Sequence, residues 1–96
     1  MVTVTCEGKD VVRLEGELDI YAVRDAHAAL VPALEGDGPL RLDLAKLEAV
    51  DGAGVQLVFW LRRALAARAR DLLVEGVTGA VAGQLEFCRF TGGAAC

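Results

Sequence analysis

Ninety-six residues, just over half of them apolar, suffice for one hydrophobic core and not for a second module. Fourteen Asp and Glu against ten Lys and Arg give a formal net charge of −4 without a basic stripe, which argues against nucleic acid as a partner. No apolar run approaches the roughly 20 residues of a membrane span, and Met1-Val2-Thr3-Val4 lacks a charged lead into an apolar signal core, so a cytoplasmic chain without direct membrane insertion is expected.

Val2 and Val4 alternate with Thr3 and Thr5, the period-2 pattern of a half-buried strand, and Glu7-Gly8-Lys9-Asp10 turns the chain into Val11-Val12-Arg13-Leu14. A β-hairpin is predicted. Gly16-Glu17-Leu18-Asp19 closes the second strand, and Val23, Ala26, Leu30 and Leu34 recur at helical spacing behind a cap at Asp19. Pro32 removes a backbone donor near the end of that pattern, predicting a kink or early stop. Tyr21, in the first turn, either borders the same surface as Asp19 or packs its ring on the core and keeps only its hydroxyl wet. His27 projects beside Val23 and Leu34 as a buried-edge histidine.

Gly36-Asp37-Gly38-Pro39 reads as a loop, and Leu40-Arg41-Leu42-Asp43-Leu44 as a central strand with its leucines on one face. A tight loop is expected before Asp51. From Gly52 onward, about 100° per residue places Gly54, Leu57, Val58, Leu61, Ala64 and Leu65 on one side of a second helix. Gln56, Phe59 and Arg63 fall on the other side, with Trp60 at the boundary. Arg62, Arg63, Arg68 and Arg70 read as a solvated face. Leu72-Leu73-Val74-Glu75-Gly76 is a short buried strand, and Thr78 opens a weaker helix whose Val81, Leu85 and Cys88 face inward. Phe87 and Phe90 are expected to pin its end to the core.

This order predicts the α/β class: one domain over residues 1–90, with a mixed sheet of four or five strands in β-β-α-β-α-β-α order and an antiparallel first strand. Residues 91–96 read as a flexible tail. Cys6, Cys88 and Cys96 are an odd set without zinc-type spacing, which fits reduced thiols, with Cys6 and Cys88 packed as small apolar residues. No Cys, Asp or Glu pattern completes a metal site around His27, and no cofactor is expected.

The chemistry that can be read concentrates at Val50-Asp51-Gly52-Ala53-Gly54-Val55, a small-residue mouth onto the second helix. A helix N-terminus offers unpaired N–H groups, so a phosphate, a carboxylate or a partner backbone can approach. Gly52 and Ala53 carry no hydroxyl, thiol or imidazole, so the mouth binds without supplying a nucleophile. Asp51 should cap the helix. Gly52 either gives a partner clearance or meets a conformational demand, whereas Gly54 is there for packing. Phe59 and Trp60, rimmed by Gln56 and Arg63, read as the apolar centre of a docking patch, unless tail residues, a neighbouring helix or a slight rotation of the helix cover Phe59.

Taken together, Gly16-Glu17-Leu18-Asp19, Leu42-Asp43-Leu44, Val50 to Leu57 and the closing Ala80-Val81…Leu85…Phe90 pattern resemble a STAS domain, the fold of bacterial anti-sigma factor antagonists. The resemblance implies a non-catalytic protein-interaction module with a kinase-like, chemotaxis or ATPase partner. Its sigma-regulating branch is phosphorylated in an Asp-Ser-Ser-Gly motif at the position that is Ala53 here. The lipid-transport and chemotaxis-associated branches read Asp-Thr-Ala-Gly, with the Thr position at Gly52 here. Both switch hydroxyls are therefore missing, which implies a constitutive binder or a scaffold subunit whose regulation lies in its partner. Asp19 aligns with an acidic residue near the family's phosphorylation site; with the mouth and the helix patch read above, the expected contact residues are Asp19, Asp51, Gly52, Ala53, Gln56, Phe59, Trp60 and Arg63. The alternatives are an accessory subunit of a lipid-transport ABC ATPase, a nucleotide-binding domain using the glycine-rich mouth, and a homodimer formed through Phe59 and Trp60.

Overall fold

The computed structural model describes residues 2–8, 10–79 and 81–83. Strand β1 (Val2–Glu7) pairs antiparallel with β2 (Val11–Leu18), Val2 opposite Gly16 and Glu7 opposite Val11. β3 (Leu40–Val50) lies parallel to β2, and β4 (Leu72–Glu75) parallel to β3, so the described sheet is mixed and four-stranded in the order β1-β2-β3-β4. Parallel neighbours require a crossover. Helix α1 (Val23–Leu30) provides the first and α2 (Gly52–Ala66) the second. Residues 79 and 81–83 are helical, as expected of a third helix opening at Thr78, whose O accepts from the backbone N–H groups of Val81 and Ala82. The expectations for Leu85, Phe87, Cys88, Phe90, Cys96 and the tail fall outside the described residues.

One face of the sheet meets the helices. Val12, Leu14 and Leu18 of β2 join Leu40, Leu42 and Leu44 of β3 in a cluster with Ala26 and Leu30 of α1 and Leu57, Leu61 and Leu65 of α2. The buried arc of α2 is the one its spacing predicts, with Val55 added and Ala64 only half-buried. Pro32 acts as expected. The α-helix stops at Leu30 and the chain tightens into a 3-10 turn, Val31–Glu35, with the proline near its start.

β3 departs most from the expected outline, because it continues past Leu44 to Val50 instead of breaking into a loop. Its inward residues are Leu40, Leu42 and Leu44, then Leu47, then the half-buried Val50. That change of spacing from two to three hides a strand. It arises where the pairing with β2 slips, from Arg13 opposite Asp43 to Glu15 opposite Lys46, and from Gly16 opposite Leu47 to Glu17 opposite Ala49. Each slip leaves an extra residue on β3, the signature of a bulge. Gly16 lies between the slips at φ 95°, a left-handed conformation that favours glycine.

Four smaller expectations are corrected. Cys6 is exposed, its Sγ 3.9 Å from the carbonyl oxygen of Ala29, because β1 is an edge strand. His27 is exposed, because the buried positions of α1 are Ala26 and Leu30; its ring lies against Trp60, centroids 4.3 Å apart and tilted by 48°. Arg70 is buried, donating from Nε to Gly38 O (2.6 Å) and from Nη1 to Ala33 O (2.7 Å). The helical projection fails for it because α2 ends at Ala66 and Ala69 turns the chain at φ 57°. In β4, Leu72 is buried beside Leu40 and Leu73 is exposed beside Arg41, since successive strand residues point to opposite faces and the helices meet only one of them.

Candidate functional site

The bulges in β3 bring two loops together. After them β2 and β3 finish level, Leu18 opposite Val50, so the chain leaves both strands at the same end of the sheet. Each departure carries an aspartate. Asp19 Oδ1 accepts from the backbone N–H groups of Tyr21 (3.0 Å) and Ala22 (3.1 Å), while its carbonyl accepts from Ala22 and Val23. It therefore organises the turn ahead of α1 and not the helix itself, whose N-cap is Ala22 with no side-chain cap.

Asp51 joins the two loops. Its Oδ1 accepts from Gly54 N (3.0 Å), capping α2, and its Oδ2 accepts from Ile20 N (3.1 Å) across 31 positions of sequence. Its own N–H donates to Leu18 O at 3.2 Å. A single carboxylate thus ties the β2 loop to the mouth of α2, and hydrogen bonds to a charged acceptor are the stronger kind.

The glycines of the mouth differ in purpose. A Cβ on Gly54 would lie 2.5 Å from both Leu18 O and Val50 Cγ2, so packing demands glycine there. A Cβ on Gly52 would meet nothing within 4 Å, and its φ is not left-handed. Gly52 is exposed and Ala53 half-buried. The opening onto α2 is accordingly clear.

The remaining expected contact residues lie along α2, beyond the mouth. Gln56 and Arg63 are exposed, while Phe59, expected to point outward, is half-buried. Trp60 is also half-buried, packed on the core and against His27. At about 1.5 Å per residue, Arg63 stands some 16 Å along the axis from Gly52. The geometry thus brings Asp19, Asp51, Gly52 and Ala53 into one site and leaves Phe59, Trp60 and Arg63 on a separate stretch of helix.

One neighbour of the mouth, Ile20, was missed in the sequence, and a second, Tyr21, was read two ways. Ile20 is 66% exposed and Tyr21 90% exposed, so the Tyr21 ring does not pack on the core. The turn organised by Asp19 precedes the first core-facing position of α1, so both side chains leave the core. The available signal was the pair of bulky apolar residues directly after a turn-forming aspartate.

A second polar grouping occupies the outer face of the sheet. A half-open cleft of about 230 Å³ is lined by Thr5, Arg13, Leu14, Glu15, Asp43, Ala45 and Lys46. Arg13 pairs with Glu7 and, at 3.2 Å, with Asp43. The backbone N–H of Ala45 and then the Arg13 guanidinium hold the Asp43 carboxyl below the usual carboxylate range. Among the described residues no group of three or more His, Cys, Asp or Glu side chains is placed to hold a metal ion, and no helix is long and apolar enough to cross a membrane.

A family model described as "Mlab, STAS domain" matches residues 2–92. The chain belongs to the STAS family. This STAS domain is similar to the anti-sigma factor antagonist SpoIIAA in its unphosphorylated form, with TM-score 0.69, 22% identity, and 91% of this chain and 83% of that chain covered. It is also similar to the Bacillus cell fate determinant SpoIIAA in its phosphorylated form, with TM-score 0.72, 21% identity and coverages of 99% and 86%. A third likeness is to an antisigma-factor antagonist STAS domain from Rhodobacter sphaeroides, with TM-score 0.65, 20% identity and coverages of 83% and 89%. At these identities the likeness is one of fold. No curated protein matches the chain.

Proposed function

We propose that this STAS domain is a non-catalytic docking module that binds a protein regulator of the kinase-like or ATPase kind at the joined Asp19 and Asp51 loops. The observation that carries the reading is the double acceptance by Asp51, from Gly54 N and Ile20 N, which pre-forms one surface from two loops. Pre-formed surfaces lose less freedom on binding. The residues around the mouth favour recognition over reaction, since Gly52 and Ala53 are inert and Asp19 and Asp51 each accept backbone hydrogen bonds.

Because neither Gly52 nor Ala53 can accept phosphate, binding is constitutive, with control residing in the partner. In a phosphorylatable relative, about −1.5 to −2 charges would be added at this position. Phe59, Trp60, Gln56 and Arg63 extend the contact along α2. The Asp51-Gly52-Ala53-Gly54 form resembles the chemotaxis-associated and lipid-transport branches more than the serine-switch branch, and the lipid-transport likeness supports a second reading in which the partner is an ABC ATPase.

The test uses the full chain as bait, with the recovered protein then purified and bound to wild type and Gly52→Trp. A kinase-fold regulator supports the first reading and an ABC ATPase the second, provided that the bulky side chain at position 52 abolishes binding while the fold is retained. Unchanged binding by Gly52→Trp refutes docking at the mouth. Intact-mass analysis with site mapping after exposure to kinases of the source cell should detect no phosphate on the hydroxyls of the domain, the exposed Tyr21 beside the mouth included, and a stoichiometric one that blocks partner binding would refute constitutive binding.

A further inference from the structure

Ile20 and Tyr21 are adjacent large side chains left 66% and 90% exposed on a backbone held by Asp19 and Asp51. Single exposed apolar residues are ordinary. A rigid pair beside an unobstructed helix mouth is less so, since tyrosine supplies large contact area with few rotatable bonds and recurs at the energetic centres of interfaces.

The charges around the pair specify what can cover it. Segments 18–25 and 48–55 contain Asp19, Asp25, Glu48 and Asp51, with Arg24 the one cation in their sequence. Both segments leave the sheet at its Leu18/Val50 end. A second copy of the chain docking here about a two-fold axis would set these carboxylates against their own mates, which is repulsive.

Resting on the docking role proposed above, we infer that Ile20 and Tyr21 form an apolar prong in an acidic setting, and that its partner surface is an apolar pocket flanked by Arg or Lys side chains. The prong supplies the buried contact and the carboxylates supply orientation and encounter rate. This division makes two separable demands. Loss of the tyrosine ring should weaken binding at any salt concentration, whereas charge reversal should act most at low salt.

A random-peptide library displayed on phage, selected on the full wild-type chain, tests the inference. Selected peptides are synthesised and their affinities measured by fluorescence anisotropy against wild type, Tyr21→Ala, Glu48→Lys and Gly52→Trp, each checked for native circular dichroism. Enrichment of Arg or Lys beside bulky apolar residues is expected, with affinity falling at least about tenfold in Tyr21→Ala. Affinity should also fall in Glu48→Lys and as salt shortens the screening length from about 10 to about 3 Å. Binders that are neutral or acidic, or insensitive to Tyr21→Ala, overturn the inference, as does the absence of any binder. Peptides that survive Tyr21→Ala but not Gly52→Trp would sink the prong and leave docking at the mouth standing. Survival of both substitutions would count against both. A concentration-dependent dimer in sedimentation that Tyr21→Ala dissolves would assign the prong to self-association and overturn the basic-pocket assignment.

Discussion

Asp51 uses one carboxylate oxygen for its own helix and the other for a loop 31 positions away. Removing it in Asp51→Ala deletes both bonds, and the expected cost is about 1 to 2 kcal/mol in urea unfolding, the range of a lost cap. Asp51→Asn keeps an acceptor for Gly54 N and should lose less. Equal stability of all three proteins would show that the bonds are not formed in solution. Position 54 offers a sharper contrast with position 52. Gly54→Ala places a methyl 2.5 Å from Leu18 O and Val50 Cγ2, an overpacking expected to cost about 1 to 3 kcal/mol. Gly52→Ala points into open space within the first turn of α2, and thermal melting should show it neutral or stabilised by up to about 1 kcal/mol. Asp51 and Gly54 were readable because caps and inward arcs follow from local periodicity. The bond from Asp51 to Ile20 was not, since only the pairing of β2 with β3 brings those residues together.

Among the elements, the hairpin and the buried arc of α2 follow from patterns of two and 3.6 and the Pro32 break from a missing backbone donor, and these were legible. β3 beyond Leu44 was not, because its bulges change the inward spacing to three and mimic irregular chain. Arg70 misled and Tyr21 stayed undecided for a related reason: each lies just outside a helix, where helical projection no longer says which way a side chain points. The outer face of the sheet makes an acid-sensitive element. The folded Asp43 carboxyl is held below the ordinary value of about 3.9, so its contribution to stability is complete above that value and disappears as pH falls through the folded one. Between about pH 5 and pH 2 the melting temperature of the wild type should therefore drop more steeply than that of Asp43→Asn. Parallel pH profiles would show that the Ala45 and Arg13 contacts do not stabilise the ionised form.

At the scale of the molecule, one layer of helices covers one face of a mixed sheet, and the ends of its parallel strands carry the joined loops. The fold class was readable from element order, and the resemblance supplied the expectation of docking. The surface facing a partner was only partly legible, because exposure of Ile20 and Tyr21 is decided by where β2 and β3 end together. The central claim is that this end of the sheet receives a protein partner. Hydrogen–deuterium exchange of the full chain, alone and in the purified complex captured from its own cells, tests it most directly. Protection gained at residues 19–23 and 51–55, with little change at Thr3, Arg13 and Asp43, is the expected result. Protection confined to the outer face of the sheet, with the two loops exchanging as fast as in the free protein, would contradict it.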